Sequence, residues 1–384
     1  MKVYYLGYYD LPDHGRSVSP AAVTMMDYVS SAIQQTGIKC IILSPTISKD
    51  RKPMERIAQE NGREVIFAAS YGTASKANIV KRAYLRVRRQ MELYRMLDNQ
   101  LQEGDILLVY HSLAYIDVLR RLRRRKRFTL LLQVCEIYAD VLENKRRKKK
   151  ELKWISEADA YIFSTKQLAQ SINIKNKLSQ VCLGTYKVED RFVKKYDNNK
   201  YVHVVYAGTF DPRKGGAQAT AAAAAYLPVG YHMHIIGFGT EKEVSLLKNQ
   251  IKEVSLSSPC KVTYDGCLSG NEYLEFLQRC DIGLCTQDPN AAFNATSFPS
   301  KILSYMSNGL HVVSAKVSVV MDSPVGDLIA YYDTQTPEEI AKAILKVDLK
   351  SKGKEQERVA ELDKSFQKDL KSMLNQLFSS VNEK

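Results

Sequence analysis

Short runs of apolar residues alternate along this chain with stretches whose apolar residues recur every three or four positions. In the first half the runs predict strands at 2–8, 38–43, 64–68, 105–110, 128–134, 160–163 and 178–183. The periodic stretches predict helices at 20–35, 77–102, 113–124, 141–156 and 167–172. Residues 187–200 are polar and lack an apolar period, so they read as a linker. The alternation then resumes, with strands at 202–207, 232–236, 261–264, 282–285, 310–314 and 328–331. Helices near 216–226, 241–253, 270–279, 299–307 and 337–347 separate them. Strands that alternate with helices build parallel sheets. The chain therefore reads as two α/β domains, 1–186 and 201–350. An amphipathic helical region at 351–384 is available to pack back across the domain junction.

Composition narrows the class. A chain of 384 residues with 45% hydrophobic content can fill two cores. No apolar window is long enough to span a membrane, and no signal-peptide core forms near residue 1, so a cytoplasmic location is expected. The seven cysteines show no paired spacing and read as reduced thiols in the core. Among them Cys260, Cys267, Cys280 and Cys285 lack zinc spacing. The net charge of +14 is lopsided: residues 1–200 hold 37 Lys and Arg against 21 Asp and Glu, and the rest hold 19 against 21. Basic concentrations at 81–95, 120–127 and 145–150 would attract an anionic surface. In the first, Val80, Ala83, Tyr84, Val87, Met91 and Tyr94 fall at helical spacing with arginines beside them. That face either packs in the core or lies on anionic lipid. No zinc-finger spacing, RRM signature or helix-turn-helix accompanies the charge, so nucleic acid is not the expected partner.

Candidate chemistry sits after strands of the second half. Residues 205–216, Val-Tyr-Ala-Gly-Thr-Phe-Asp-Pro-Arg-Lys-Gly-Gly, carry a strand into a glycine-bearing loop. Ligands of open α/β sheets bind at the carboxyl ends of strands, so Gly208, Thr209, Arg213 and Lys214 would meet one there. Gly237-Phe238-Gly239 and Cys267-Leu268 follow the next two strands. Residues 297–309, Ser-Phe-Pro-Ser-Lys-Ile-Leu-Ser-Tyr-Met-Ser-Asn-Gly, predict a helix with Ser297 and Ser300 as caps, Pro299 in its first turn and Asn308-Gly309 as its stop. Lys301 is unfavourable in a first turn unless an anion joins it. No Gly-x-Gly-x-x-Gly fingerprint is present, so a nicotinamide or flavin cofactor is not expected.

Together these segments resemble the donor domain of GT-B glycosyltransferases of family 4 type, over roughly residues 202–335. The first half resembles that family in architecture and in two fragments, 135–138 and 157–162. The resemblance implies two Rossmann-like α/β domains facing each other across a cleft. It also implies retaining transfer of a sugar from a nucleotide diphosphate donor, with no metal and no further cofactor. Carried onto this sequence, Lys214 and the 297–301 segment would hold the diphosphate, and the 237–239 and 267–268 loops the base and ribose. Thr296 and Ser304 stand where family members carry glutamates, and Thr209 where they carry an arginine, with Arg213 as a substitute. The acceptor implied is a glycan or lipid-linked sugar in bacterial surface or capsular polysaccharide synthesis, at the inner face of the membrane. The departures leave a second reading, a catalytically weak subunit that partners another glycosyltransferase. In the first half, Gly15, Arg16 and Ser17 would line the cleft or merely cap a helix. His111 and Glu136, each just past a strand, are the candidate catalytic residues or else satisfied structural ones.

Overall fold

Strands that are apolar at every position must be covered on both faces, and here they occupy the middle of two mostly parallel sheets. The computed structural model describes residues 2–12, 14–59, 62–72, 78–141, 145–189, 200–211, 215–290, 294, 296–351 and 353–382. The chain divides into one unit of residues 1–185 and 364–384 and a second of residues 186–363.

The first unit contains β1 (Val3–Leu6), β2 (Cys40–Ser44), β3 (Arg51–Lys52), β4 (Glu55–Ala58), β5 (Glu64–Phe67), β6 (Ser70–Tyr71), β7 (Ile106–Tyr110), β8 (Thr129–Val134), β9 (Ala160–Phe163) and β10 (Ser179–Val181). Eight of them form a sheet in the order β10-β9-β8-β7-β1-β2-β5-β4, while β3 and β6 pair separately. Within it β4 alone runs antiparallel, against β5. The sequence reading contained neither β4 nor the β3–β6 pair. Their residues are polar and only alternately covered, with none of the apolar run that marks an interior strand. Helices Pro20–Gln35 and Ile79–Gln100 match the predicted spans closely. Trp154, Tyr115, Phe163 and Leu119 are among the buried side chains of this unit's core.

The second unit contains β11 (Val202–Thr209), β12 (Tyr231–Phe238), β13 (Lys261–Gly266), β14 (Ile282–Cys285), β15 (His311–Ala315) and β16 (Ile329–Tyr332), all parallel, in the order β13-β12-β11-β14-β15-β16. The chain thus builds outward from β11 in one direction and then, at β14, in the other. This reversal creates a switch point between β11 and β14, the place where ligands of open α/β sheets bind at the carboxyl ends. A 29-residue helix, Lys354–Asn382, ends the chain. Its first turns belong to the second unit, where Glu355 reaches His311 at 2.7 Å, and its later part to the first, where Phe366 stacks on Tyr28 at 5.8 Å.

Candidate functional site

At the switch point, β11 and β14 pair only at Val204–Ile282 and Val205–Gly283 before they part. Tyr305 fills the gap. Its hydroxyl accepts from the Ala207 amide at 2.9 Å and donates to the Leu284 carbonyl at 3.2 Å. Gly283 makes room for it, since a Cβ there would stand 2.2 Å from the Tyr305 ring. The helix Lys301–Ser307 is thereby fastened at the switch point, and it brings Lys301 to the end of β11. The Lys301 ammonium lies 4.2 Å from the centre of the Tyr206 ring and 2.9 Å from where a Gly208 Cβ would be. Among the described residues no carboxylate pairs with it. Its charge is felt nearby: burial raises the pKa values of Tyr273 and Cys285, and Lys301 draws both back.

The cap chemistry differs from expectation. The helix begins at Lys301, not at Pro299, and Ser300 makes no side-chain cap hydrogen bond. Ser300 has already taken helical dihedrals (φ −56°, ψ −23°), whereas a capping side chain needs an extended backbone to reach the N2 or N3 amide. Ser297 is half-buried upstream. The stop is as read: Asn308 caps, and Gly309 at φ 79° sends the chain into β15.

Of the other donor-side residues, Gly208 and Thr209 end β11. They lie directly beside Gly237 and Phe238 at the end of β12, so the structure brings these four together. Gly237, however, is glycine for a backbone reason. At φ 135° its Cβ would fall 1.8 Å from the Gly208 carbonyl oxygen, so the ladder between β11 and β12 requires it without any ligand. Phe238 is 55% exposed at this edge, and Gly239 packs against Phe210 and Glu243. Tyr264 donates to the Gly237 carbonyl at 3.2 Å and ties β13 to the same edge. Cys267 beyond it is exposed, unlike the buried Cys260, Cys280 and Cys285, which corrects its reading as core. Leu268 is intermediate in exposure. Arg213 and Lys214 lie outside the described residues. The Ser304 hydroxyl, at one of the positions expected to be glutamate, faces the Tyr273 hydroxyl at 3.3 Å.

In the first unit, Arg16 and His111 both lie in buried surroundings. Arg16 is buried, not a loop cation facing a ligand. Its guanidinium donates to the carbonyls of Thr46 and Ala68 and to Glu55 and lies over the Phe67 ring, and its backbone amide donates to the Asp10 carboxylate. Gly15 precedes it at φ 79°, and the Ser17 amide donates to Ile47. Buried guanidinium hydrogen bonds fix this loop to the sheet. His111, read as catalytic or as a satisfied structural residue, is held by an acid. It is 2% exposed, and its Nε2 meets Glu151 at 2.7 Å. Glu151 also accepts from the amides of Tyr138 and Ala139. Burial would raise the Glu151 pKa, but the His111 contact and these amides bring it below the ordinary glutamate value. An ionised carboxylate only accepts, so His111 Nε2 donates in this contact, and among the described residues Nδ1 has no hydrogen-bond partner. Glu136 follows β8 at intermediate exposure, and its charge helps raise the pKa of Tyr138, whose ring stacks on His111 at 5.3 Å.

Sequence reasoning passed over Tyr206, Tyr305 and Glu151. Tyr206 and Tyr305 lie in the quoted runs but were given no role, and Glu151 lies 40 residues from its partner with no local signal.

The basic runs are partly spent on internal contacts. Arg120 forms a two-pronged pair with Glu157, Arg123 one with Asp159, and Lys126 reaches the Leu101 carbonyl. On the helix Ile79–Gln100 the predicted apolar stripe faces outward. Val80 is 72% exposed and Val87 58%, while Leu85, Leu93, Met96 and Leu97 make the buried side. Beside this helix lies a cavity of about 840 Å³, whose described lining holds Arg86, Arg89, Arg95, Arg121 and Lys150 with Asp117, Arg95 being paired with Glu92 at 3.1 Å.

No protein-family model matches the chain, and no curated protein matches it in sequence. Solved structures do. An alpha,alpha-trehalose 6-phosphate synthase from Burkholderia multivorans superposes with a TM-score of 0.67 at 12% identity, covering 100% of this chain and 97% of its own. A trehalose-6-phosphate structure from E. coli bound with UDP-2-fluoro glucose gives 0.66 at 12%, covering 98% and 99%. A UDP-forming alpha,alpha-trehalose-phosphate synthase from Burkholderia xenovorans in complex with glucose-6-phosphate gives 0.59 at 12%, covering 99% and 100%. With nearly complete coverage on both sides, the likeness shows the architecture of the whole chain: two Rossmann-like α/β domains of the GT-B fold.

Proposed function

We propose that this protein is a retaining glycosyltransferase that moves a sugar from a nucleoside diphosphate sugar to a phosphate-bearing acceptor. The observation that carries the donor half is the Lys301 ammonium at the switch point, against Gly208 and Tyr206 and paired with no carboxylate among the described residues. As the bond from the anomeric carbon to the diphosphate breaks, charge builds on the departing oxygen, and a fixed cation there stabilises it. Gly208, Thr209, Phe238 and the 267–268 loop border the same edge and are assigned to the nucleotide. The fold neighbours, bound with UDP-2-fluoro glucose and glucose-6-phosphate, support donor and acceptor by fold analogy alone.

For the acceptor, the five cations of the cavity in the first unit favour an anion. The outward apolar residues Ile79, Val80, Tyr84 and Val87 on the helix beside it favour an amphiphile, a lipid-linked phosphate at an anionic membrane surface. Among the described residues no helix is long and apolar enough to cross a membrane.

A thermal-shift panel of UDP-, GDP- and ADP-sugars tests the donor: one nucleotide raises the melting temperature and the Lys301→Ala variant loses that shift. Absence of any shift in the native protein overturns the assignment. Incubating the bound donor with a sugar phosphate in one arm and a lipid phosphate in the other, with the product anomer read by NMR, tests acceptor and retention. The second reading, a catalytically weak subunit, draws on Thr296 and Ser304 and is eliminated by steady acceptor-dependent release of nucleotide.

A further inference from the structure

Three histidines share one face of the second unit's sheet, toward the opposite end of β11 and β12 from Gly208 and Gly237. His203 on β11 is the register partner of His232 on β12, and His234 follows two positions later on the same face. All three are buried, and one ring nitrogen from each lies within 4.8 Å of the others. The His203 Nδ1 and His234 Nε2 are 3.0 Å apart, near the roughly 3.3 Å that separates two nitrogens on one tetrahedral zinc ion.

Asp265 on β13 orders the protons of this group. Its carboxylate accepts, so His234 Nδ1, at 3.1 Å, carries a proton and Nε2 keeps a lone pair. Thr263 donates its hydroxyl hydrogen to Asp265 at 2.8 Å, which leaves the Thr263 oxygen to accept from His232 Nε2 at 3.0 Å and His232 Nδ1 with its lone pair. A carboxylate that holds one imidazole nitrogen while the other is free to ligate is the usual support of a metal-bound histidine. Without an ion, the His203 Nδ1 proton bridges to His234 Nε2. An ion would take the place of that proton.

We infer that His203, His232 and His234 form a binding site for a divalent first-row transition metal ion, zinc by its preference for imidazole, with Asp265 as the positioning carboxylate. The site serves the structure and not the transfer. His203 precedes Gly208 by five residues on β11, about 16 Å at roughly 3.3 Å per residue. It clamps β11 to β12, the strands that carry the donor edge. The Asp265 side chain, 24% exposed, gives an ion its way in.

The untagged full chain, stripped with EDTA, is titrated with zinc and with cobalt(II). One ion per chain, with intense visible cobalt bands of a four-coordinate site, is the expected result. Asp265→Asn keeps the stoichiometry and weakens affinity by about 10–100-fold. His234→Gln abolishes the bands while its far-ultraviolet circular dichroism stays native. Native protein that shows no cobalt bands and retains no zinc overturns the site, as do bands unchanged in the His203→Gln, His232→Gln and His234→Gln variants. If the histidine variants fail to fold, the native spectrum and Asp265→Asn decide, and unchanged affinity in Asp265→Asn overturns the assigned arrangement.

Discussion

A lysine in a first helical turn opposes the helix macrodipole. Lys301 is held there by an aromatic face and pairs with no described carboxylate, so its charge remains available at the switch point. Lys301→Ala is expected to weaken nucleoside diphosphate binding by about 1.5–3 kcal/mol, the range for a hydrogen bond to a charged group. Calorimetry checks this, and unchanged affinity would place the diphosphate elsewhere. Glu151 makes a different demand. Removing it leaves a buried imidazole N–H and two amides unsatisfied, so Glu151→Ala should lower stability by about 3–5 kcal/mol in chemical denaturation. A depressed carboxylate pKa gives stability fully present above the unfolded value, about 4.3, and lost as pH falls through the lower folded value. Native protein should therefore lose stability below about pH 4.3 more steeply than Glu151→Gln; parallel acid-unfolding curves would contradict the contact.

Among elements, β11 and β12 meet so closely at Gly208 and Gly237 that the second glycine has no substitute. Gly237→Ala should destabilise the protein by about 3 kcal/mol or more through strain and collision, read as a fall in melting temperature. The helix Ile79–Gln100 illustrates a limit of periodicity. Its apolar spacing was visible, yet two apolar stripes coexist on it, and sequence alone could not say that Leu85, Leu93 and Met96 face the core while Val80 and Val87 face out. Burial is chosen by what the neighbouring strands leave uncovered. Val80→Asp with Val87→Asp should reduce sedimentation with anionic vesicles and leave the nucleotide-induced thermal shift unchanged. Equal sedimentation would remove this face from membrane contact.

Across the whole molecule, the strand-helix alternation and the order of glycine loops were enough to read two α/β domains, because parallel sheets enforce continuous apolar runs. Polar edge strands such as β4 escaped, since an exposed edge carries no such pattern. The candidate site was legible in part. Gly208, Thr209 and Lys301 were named from the sequence, and the fold brings them together at the end of β11. Arg16 and His111 were named as well, and the fold buries each beside an acid. The sequence by itself determined which segments become the apolar interior strands and the helices between them, where Gly309 stops a helix, and that the positive charge belongs to the first half, because each follows from local conformation or composition. Only the tertiary structure decided which charges are spent in pairs and which stay free, and that His203, His232 and His234 meet on one face. Those outcomes depend on strand order and register, which pair residues dozens of positions apart.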